Sequence, residues 1–269
     1  MIEFFKLEAL GNDFVLVDAR APRSRASDLT PADARRLADR RRGIGCDQLL
    51  VLQPSANAGK FGVRIRNADG SEAEQCGNGM RALAAWLDRV GELGPGVVVE
   101  TAAGDVGLGR SGRGEYTADL PGPVDVSADQ LRLPPLPRLP WSERASLVSM
   151  GNPHLIVLVD TEPDPDLLAR HVAELEREPS WRNAVNLGLC RARAPERLTL
   201  WVHERGAGPT PACGSAACAA AWSVGTRLAA RSPLAVEQPG GSLVVDWRRR
   251  PGRVLTAGPA TVVFQGRIE

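Results

Sequence analysis

The same ordered set of signals occurs twice along this chain, and a sequence that repeats itself in this way folds as two copies of one unit. Gly11-Asn12 lies 65 residues before Cys76, and Gly151-Asn152 lies 62 before Cys213. Each pair precedes a strand-like apolar run that ends in aspartate, Phe14-Val15-Leu16-Val17-Asp18 and Leu155-Ile156-Val157-Leu158-Val159-Asp160. A helix start follows in both, Thr30-Pro31-Ala32-Asp33 and Asp164-Pro165-Asp166, with a capping residue before proline. The first of these helices is expected to stop at Gly43, which makes Arg40-Arg41-Arg42 a solvated helix end.

The correspondence continues inward. Gln48 stands 28 residues before Cys76 and Asn186 stands 27 before Cys213, while Asn67 and Glu204 each stand nine before their cysteine. Cys76-Gly77-Asn78 and Cys213-Gly214-Ser215 each open an alanine-rich stretch, with alanines six and eight residues past the cysteine, that predicts a closely packed helix. Six prolines between Leu120 and Trp141 interrupt regular structure between the copies. The expected fold is therefore α/β (α+β), with two pseudo-symmetric lobes, each a mixed or antiparallel sheet around a central helix. Residues 1–118 form the lobe carrying Cys76, a C-terminal strand 258–269 returns to it, 119–257 form the lobe carrying Cys213, and a cleft lies between them.

Composition narrows what such a fold can do. With 33 basic and 32 acidic residues among 269, the net charge is +1, which argues against a nucleic-acid or anionic-membrane partner. No apolar run approaches the ~20 residues that span a bilayer, and the first residues lack a secretory pattern, so a cytoplasmic protein is expected. Five cysteines without a CxxC pair point to free thiols and not to a disulfide framework or zinc ribbon. Cys46, Cys190 and Cys218 read as buried apolar side chains. The only lysines, Lys6 and Lys60, sit in no motif that suggests a Schiff-base anchor.

At Cys76 and Cys213 the repeat places a thiol where a loop enters a helix. Backbone N–H groups at such a position stabilise thiolate and bind carboxylates, and Gly77 and Gly214 admit a close ligand. Asn78 or Ser215 is placed to cap its helix or to donate to the ligand. Two sulfurs on opposite sides of one carbon perform two-base racemisation or epimerisation: a thiolate removes the α-proton and a thiol protonates the other face. Without an electron sink, the carbanion needs helix N-termini aimed at the carboxylate and a dry site that closes around the substrate.

These segments resemble the diaminopimelate epimerases over nearly the whole chain: Lys6-Leu7 through Gly11-Asn12-Asp13-Phe14, Gly43-Ile44-Gly45-Cys46-Asp47-Gln48, the run from Asn67 to Gly79, Gly151-Asn152-Pro153-His154, Val185-Asn186, Glu204-Arg205-Gly206-Ala207-Gly208 and Ala212-Cys213-Gly214-Ser215. The resemblance implies conversion of LL- to meso-diaminopimelate, for lysine and peptidoglycan, with no cofactor and no metal, by a homodimer. It implies Cys76 and Cys213 as the acid/base thiols. Asn12, Gln48, Asn78 and the backbones of Gly77, Gly214 and Ser215 would hold the reacting end, and Asn67, Asn152, Asn186 and Arg205 the far end. Glu204 and His154 would set thiol protonation. Ala216 replaces a glycine common in the family and slightly tightens the pocket. Alternatives are a proline, hydroxyproline or histidine racemase or epimerase of the same architecture, a non-catalytic amino-acid-binding protein, and a redox sensor in which the two thiols close into a disulfide. Taken singly, Asn67 reads as a turn former, and His154 and His203 as packed side chains.

Overall fold

The run Phe14-Val15-Leu16-Val17 is buried on both faces, and in the computed structural model, which describes residues 2–20, 29–57, 59–194 and 196–269, it lies between two helices. It belongs to the first of two compact units, 1–120 with 257–269; the second is 121–256. The architecture is a sheet-dominated mixture of strands and helices.

In the first unit, β1 (Ile2–Ala9) and β2 (Asn12–Asp18) form an antiparallel hairpin. Its two-residue turn has Leu10 and Gly11 at positive φ, the backbone a tight hairpin requires. After α1 (Pro31–Ala38), β3 (Gln48–Pro54) runs parallel to β2, and β4 (Lys60–Asn67) runs antiparallel to β3. The short β5 (Glu72–Ala73) returns along β4 and leads into α2 (Gly77–Arg89). Then β6 (Val98–Thr101) joins β4 in parallel, followed by antiparallel β7 (Gly104–Gly112) and β8 (Glu115–Pro121). The last strand of the chain, β18 (Thr261–Ile268), pairs antiparallel with β1.

Apolar residues surround α2 on all sides, and it packs on β1, β2, β7 and β18, as a helix wrapped by its sheet must. Gly79 lets its start approach the sheet closely: a Cβ there would lie 3.2 Å from the Phe14 ring and 3.3 Å from Leu50. On the other face of β2, Val15 and Val17 meet Ala34 and Leu37 of α1. Thr30 and Asp33 form a reciprocal capping box at the start of α1. This helix ends at Ala38, not at Gly43, because the Asp39 carboxylate accepts the backbone N–H groups of Arg41 (2.7 Å) and Arg42 (2.9 Å) and draws the chain out of the helix. Arg40 is accordingly no helix end; it forms ion pairs with Asp13 and Asp47.

The second unit repeats this order of elements and pairings. Following β9 (Val124–Asp125), β10 (Ala145–Ser149) and β11 (Pro153–Leu158) are antiparallel. After α3 (Pro165–Leu175), capped by Asp164, β12 (Asn186–Ala194) runs parallel to β11 and β13 (Arg197–Glu204) antiparallel to β12. The short β14 (Gly208–Thr210) leads into α4 (Gly214–Arg227), and β15 (Leu234–Gln238) joins β13 in parallel before antiparallel β16 (Gly241–Asp246); β17 (Arg253–Pro259) begins in this unit and its last three residues belong to the first. Ten of the 14 residues of α4 are buried, and alanines let the surrounding strands approach its axis. The proline-rich segment is not a free linker: Leu131, Leu133, Leu136 and Leu139 pack on the cluster of Leu155, Val157, Leu168 and Trp181. Among the described residues no helix is long and apolar enough to cross a membrane.

Candidate active site

Cys76 and Cys213 occupy the same place in their units, each being the extended N-cap residue of the wrapped helix. The cap position therefore belongs to the cysteines themselves, and not to Asn78 or Ser215, which lie inside the first turn. In the first unit the Gly79 N–H donates to the Cys76 sulfur at 3.3 Å, and Asn12 Oδ1 lies 3.9 Å from that sulfur. Asn12, the first residue of β2, donates from Nδ2 to Asp47 at 2.8 Å. Gln48 opens β3 opposite both Phe14 and Asn67, so the sheet register itself brings two expected site residues together. Gln48 Nε2 donates to Asn67 Oδ1 at 2.9 Å, and Asn67 Nδ2 donates to Ser71 Oγ at 3.0 Å. Gln48 Oε1 is buried with no hydrogen-bond donor among the described residues, an unspent acceptor that a bound ammonium would satisfy. Asn78 is buried and accepts from Arg81 Nη2 at 2.7 Å.

In the second unit the Cys213 sulfur lies 3.2 Å from Glu204 Oε2 and 3.4 Å from Ser215 Oγ. Glu204 is held by the Thr210 hydroxyl at 2.6 Å, and the Cys213 N–H donates to Gln238 Oε1 at 2.9 Å. Burial and the Glu204 charge push the Cys213 thiol well above its ordinary pKa, against smaller opposing contributions from the Ser215 hydroxyl and the Ala216 N–H. Desolvation therefore outweighs the helix N-terminus that would favour thiolate. The thiol of Cys213 donates to Glu204. Cys46 and Cys190 are pushed up by burial to about 11 and about 12. None of the five cysteines, all among the described residues, forms a disulfide.

A second hydrogen-bond chain runs through Arg205, Asn186, His154 and Asn152. The Arg205 backbone N–H donates to Asn186 Oδ1 at 2.9 Å, which fixes Asn186 Nδ2 toward His154 Nδ1 at 3.5 Å. His154 Nε2 then donates to Asn152 Oδ1 at 3.0 Å. The polarity follows from the backbone donor at one end, which allows one neutral imidazole tautomer. Burial, with the Arg205 charge adding to it, lowers the His154 pKa to about 3 and keeps the ring neutral. Both ring nitrogens of His154 are thus engaged with asparagines, while Glu204 is the residue beside the thiol.

The match to known sequences decides the family. The model of the family described as diaminopimelate epimerase matches residues 4–119 and 146–263. The chain belongs to the diaminopimelate epimerase family. It is 42% identical to a diaminopimelate epimerase of Halorhodospira halophila, covering 100% of this chain and 95% of that one. It is 40% identical to one from Aromatoleum aromaticum, covering 100% and 99%. Among solved structures, a probable proline racemase from Agrobacterium radiobacter has TM-score 0.70 at 15% identity, covering 100% of this chain and 93% of that one. A PhzF-family phenazine biosynthesis protein from Bacillus anthracis has TM-score 0.66 at 18% identity, covering 100% and 99%. At these identities the two structures share the fold.

The structure thus brings Asn12 to Cys76 and Gln48 to Asn67 in the first unit, and in the second brings Glu204 and Ser215 to Cys213 and joins Arg205, Asn186, His154 and Asn152 to one another; Gly77 and Asn78 lie in the first turn of α2 and Gly214 in that of α4. Sequence reasoning missed Asp47, Asp13, Lys6 and Arg40, which anchor Asn12, and Gln238, which holds the Cys213 backbone. Asp13 and Asp47 stand beside Asn12 and Gln48 in the motif segments, a signal that was available. Gln238 lies 25 residues beyond Cys213 at the end of β15 and carries no local signal. A surface cavity of about 510 Å³ in the second unit, lined by Trp141, Leu158, Asp160, His171 and Glu174, contains none of the expected residues. Among the described residues no three His, Cys, Asp or Glu side chains gather as a metal site.

Proposed function

We propose that this chain interconverts LL- and meso-diaminopimelate, with Cys76 and Cys213 acting on opposite faces of one α-carbon. The observation that carries this reading is the occurrence of a thiol at the N-cap of each wrapped helix, in a chain of the diaminopimelate epimerase family. One sulfur, as thiolate, takes the α-proton: the C–H bond breaks, an S–H bond forms, and the electron pair spreads onto the substrate carboxylate. The other thiol then gives its proton to the opposite face, so its S–H bond breaks as the new C–H bond forms. Backbone N–H groups at Gly77, Asn78, Gly214 and Ser215 receive the carboxylate, where they stabilise the charge that grows in the transition state. Gln48 and Asn12 supply acceptors for the ammonium of the reacting end. Glu204 takes up the Cys213 proton when that sulfur acts as base.

The far, unreacted amino-acid end is read by Arg205, Asn67, Asn152 and Asn186. A guanidinium offers a fork for the distal carboxylate, and amide carbonyls accept from its ammonium without adding charge. In this scheme His154 serves the far end through Asn152 and Asn186. A proline-type substrate has no distal zwitterion and would leave these polar groups unspent, which favours diaminopimelate. The reading extends to a cytoplasmic homodimer, which sedimentation at micromolar concentration checks.

The test is turnover of LL-diaminopimelate by the purified chain, alongside 2-aminopimelate, which lacks the distal ammonium, and proline. We expect turnover of the first alone, and its loss in both Cys76→Ala and Cys213→Ala. Turnover of proline at a comparable rate, or full activity in either variant, would overturn the reading.

A further inference from the structure

Asn12 has two nearly equivalent orientations, and the network behind it permits one. We propose that Asp47 is a positioning residue that holds the Asn12 carboxamide with its carbonyl toward Cys76 and its NH2 group turned away. The inference rests on the two-thiol reading and deepens it, because it names what decides whether Asn12 turns an acceptor or a donor toward the Cys76 sulfur.

A carboxylate can only accept, so the Asn12 atom 2.8 Å from Asp47 Oδ2 is the amide nitrogen. The carbonyl oxygen then faces the sulfur, at 3.9 Å. The reverse orientation would set two oxygens 2.8 Å apart, and an isolated carbonyl–carboxylate contact at that distance is repulsive. Asp47 is itself fixed. Its Oδ2 also accepts the Asp13 N–H at 3.1 Å, and its Oδ1 accepts Arg40 Nη2 at 2.7 Å. Its own N–H donates to Asp13 Oδ1 at 2.9 Å. Asp13 in turn receives Arg40 and Lys6, and Lys6 also donates to the Gly45 carbonyl. Burial alone would raise the Asp13 pKa, but the hydrogen bonds and charges of Arg40 and Lys6 outweigh it and hold the carboxyl well below the usual range. Two carboxylates and two cations from β1, the start of β2, the turn after α1 and the entry to β3 thus clamp one asparagine.

The consequence concerns the thiol. A carbonyl pointing at sulfur accepts from S–H and repels thiolate, whereas an NH2 group there would do the reverse. The Asn12 carbonyl so held favours the thiol form of Cys76, opposing the Gly79 N–H, which favours thiolate. Glu204 offers an acceptor oxygen to Cys213 in the same manner, at 3.2 Å. Each unit meets its sulfur with an acceptor, by a different residue in each.

The test is an exchange of the two side chains, read by turnover of LL-diaminopimelate. Asn12→Asp alone sets carboxylate against carboxylate and should lower kcat/KM by roughly 100-fold, and Asp47→Asn alone by about tenfold, with the loss in kcat more than in KM. The double variant restores a donor–acceptor pair with its acceptor toward Cys76, and it should regain at least about tenfold over Asn12→Asp. If Asp47 served only to pair with Arg40, the two losses would multiply, and a double variant no better than Asn12→Asp overturns the proposal. A second readout needs no turnover: the Asn12 side-chain NH2 resonances of the ligand-free, 15N-labelled chain. One proton should be shifted downfield by the carboxylate and should lose that shift in Asp47→Ala; an unchanged signal overturns the proposal. Failure of the wild-type chain to turn over diaminopimelate would instead count against the proposed function, leaving the resonance test intact.

Discussion

Replacing Glu204 by Gln keeps the size of the side chain beside Cys213 and removes its charge. At the observed 3.2 Å a carboxylate and a thiolate repel by about 5 kcal/mol when the effective dielectric constant is about 20. Removing that repulsion should lower the thiol pKa, by less than the whole Coulomb energy because the glutamine carbonyl can still accept the S–H bond. Burial of Cys213, the larger cause of its raised pKa, is unchanged by the substitution, so the thiol should ionise below its wild-type midpoint while burial still holds it up. The assay is a titration of ultraviolet thiolate absorbance, with the same curve measured in a Glu204→Gln/Cys213→Ser variant subtracted. A midpoint that stays where it is, or rises, would refute the assignment of Glu204 as the group that holds this proton on sulfur. Turnover in Glu204→Gln should fall about 100-fold or more, because the proton acceptor for Cys213 is lost.

Other outcomes follow from the same geometry. The folded chain keeps His154 neutral down to about pH 3, whereas the unfolded chain protonates it near 6.5, so stability is lost as pH falls through that window; urea midpoints measured between pH 7 and 5 should fall less in His154→Gln than in wild type. Gly225→Ala would ordinarily favour a helix by up to about 1 kcal/mol, but its Cβ would lie 2.4 Å from the Trp247 ring, so overpacking of about 1–3 kcal/mol wins and Tm should fall; a rise in Tm would contradict that packing. Asn186→Ala breaks the chain from Arg205 to Asn152 and should raise KM for diaminopimelate at least about tenfold while changing kcat less; equal loss in both would argue against a far-end role. Thr30→Ala removes the capping box of α1, with an expected cost of about 1 kcal/mol seen as a lower Tm and no change in KM.

Much of the fold was legible because its information is local and duplicated. Thr30-Pro31 and Asp164-Pro165 announce helix starts through capping chemistry, and the spacing of Gln48 and Asn67 from Cys76 matches that of Asn186 and Glu204 from Cys213 because each pair sits on equivalent strands. What escaped depends on competition or on distance. The expected extension of α1 to Gly43 failed because Asp39 bonds its own downstream backbone, an alternative that helix patterning does not weigh. Thiolate stabilisation at the Cys213 helix start was legible, but not the burial and the carboxylate that outweigh it. The clamp on Asn12 joins residues 6, 13, 40 and 47, and only the folded sheet register brings them together.

The claim on which all of this depends is that two different thiols attend the two faces of one carbon. It is tested by running LL-diaminopimelate in D2O and reading the α-position of product and of recovered substrate early in the reaction. A sulfur that removed protium returns protium to its own face, while the opposite sulfur arrives carrying solvent deuterium. Product should therefore be fully deuterated while remaining substrate is still unlabelled. Equal deuterium in both from the first turnovers would mean one group serves both faces, and would contradict the account.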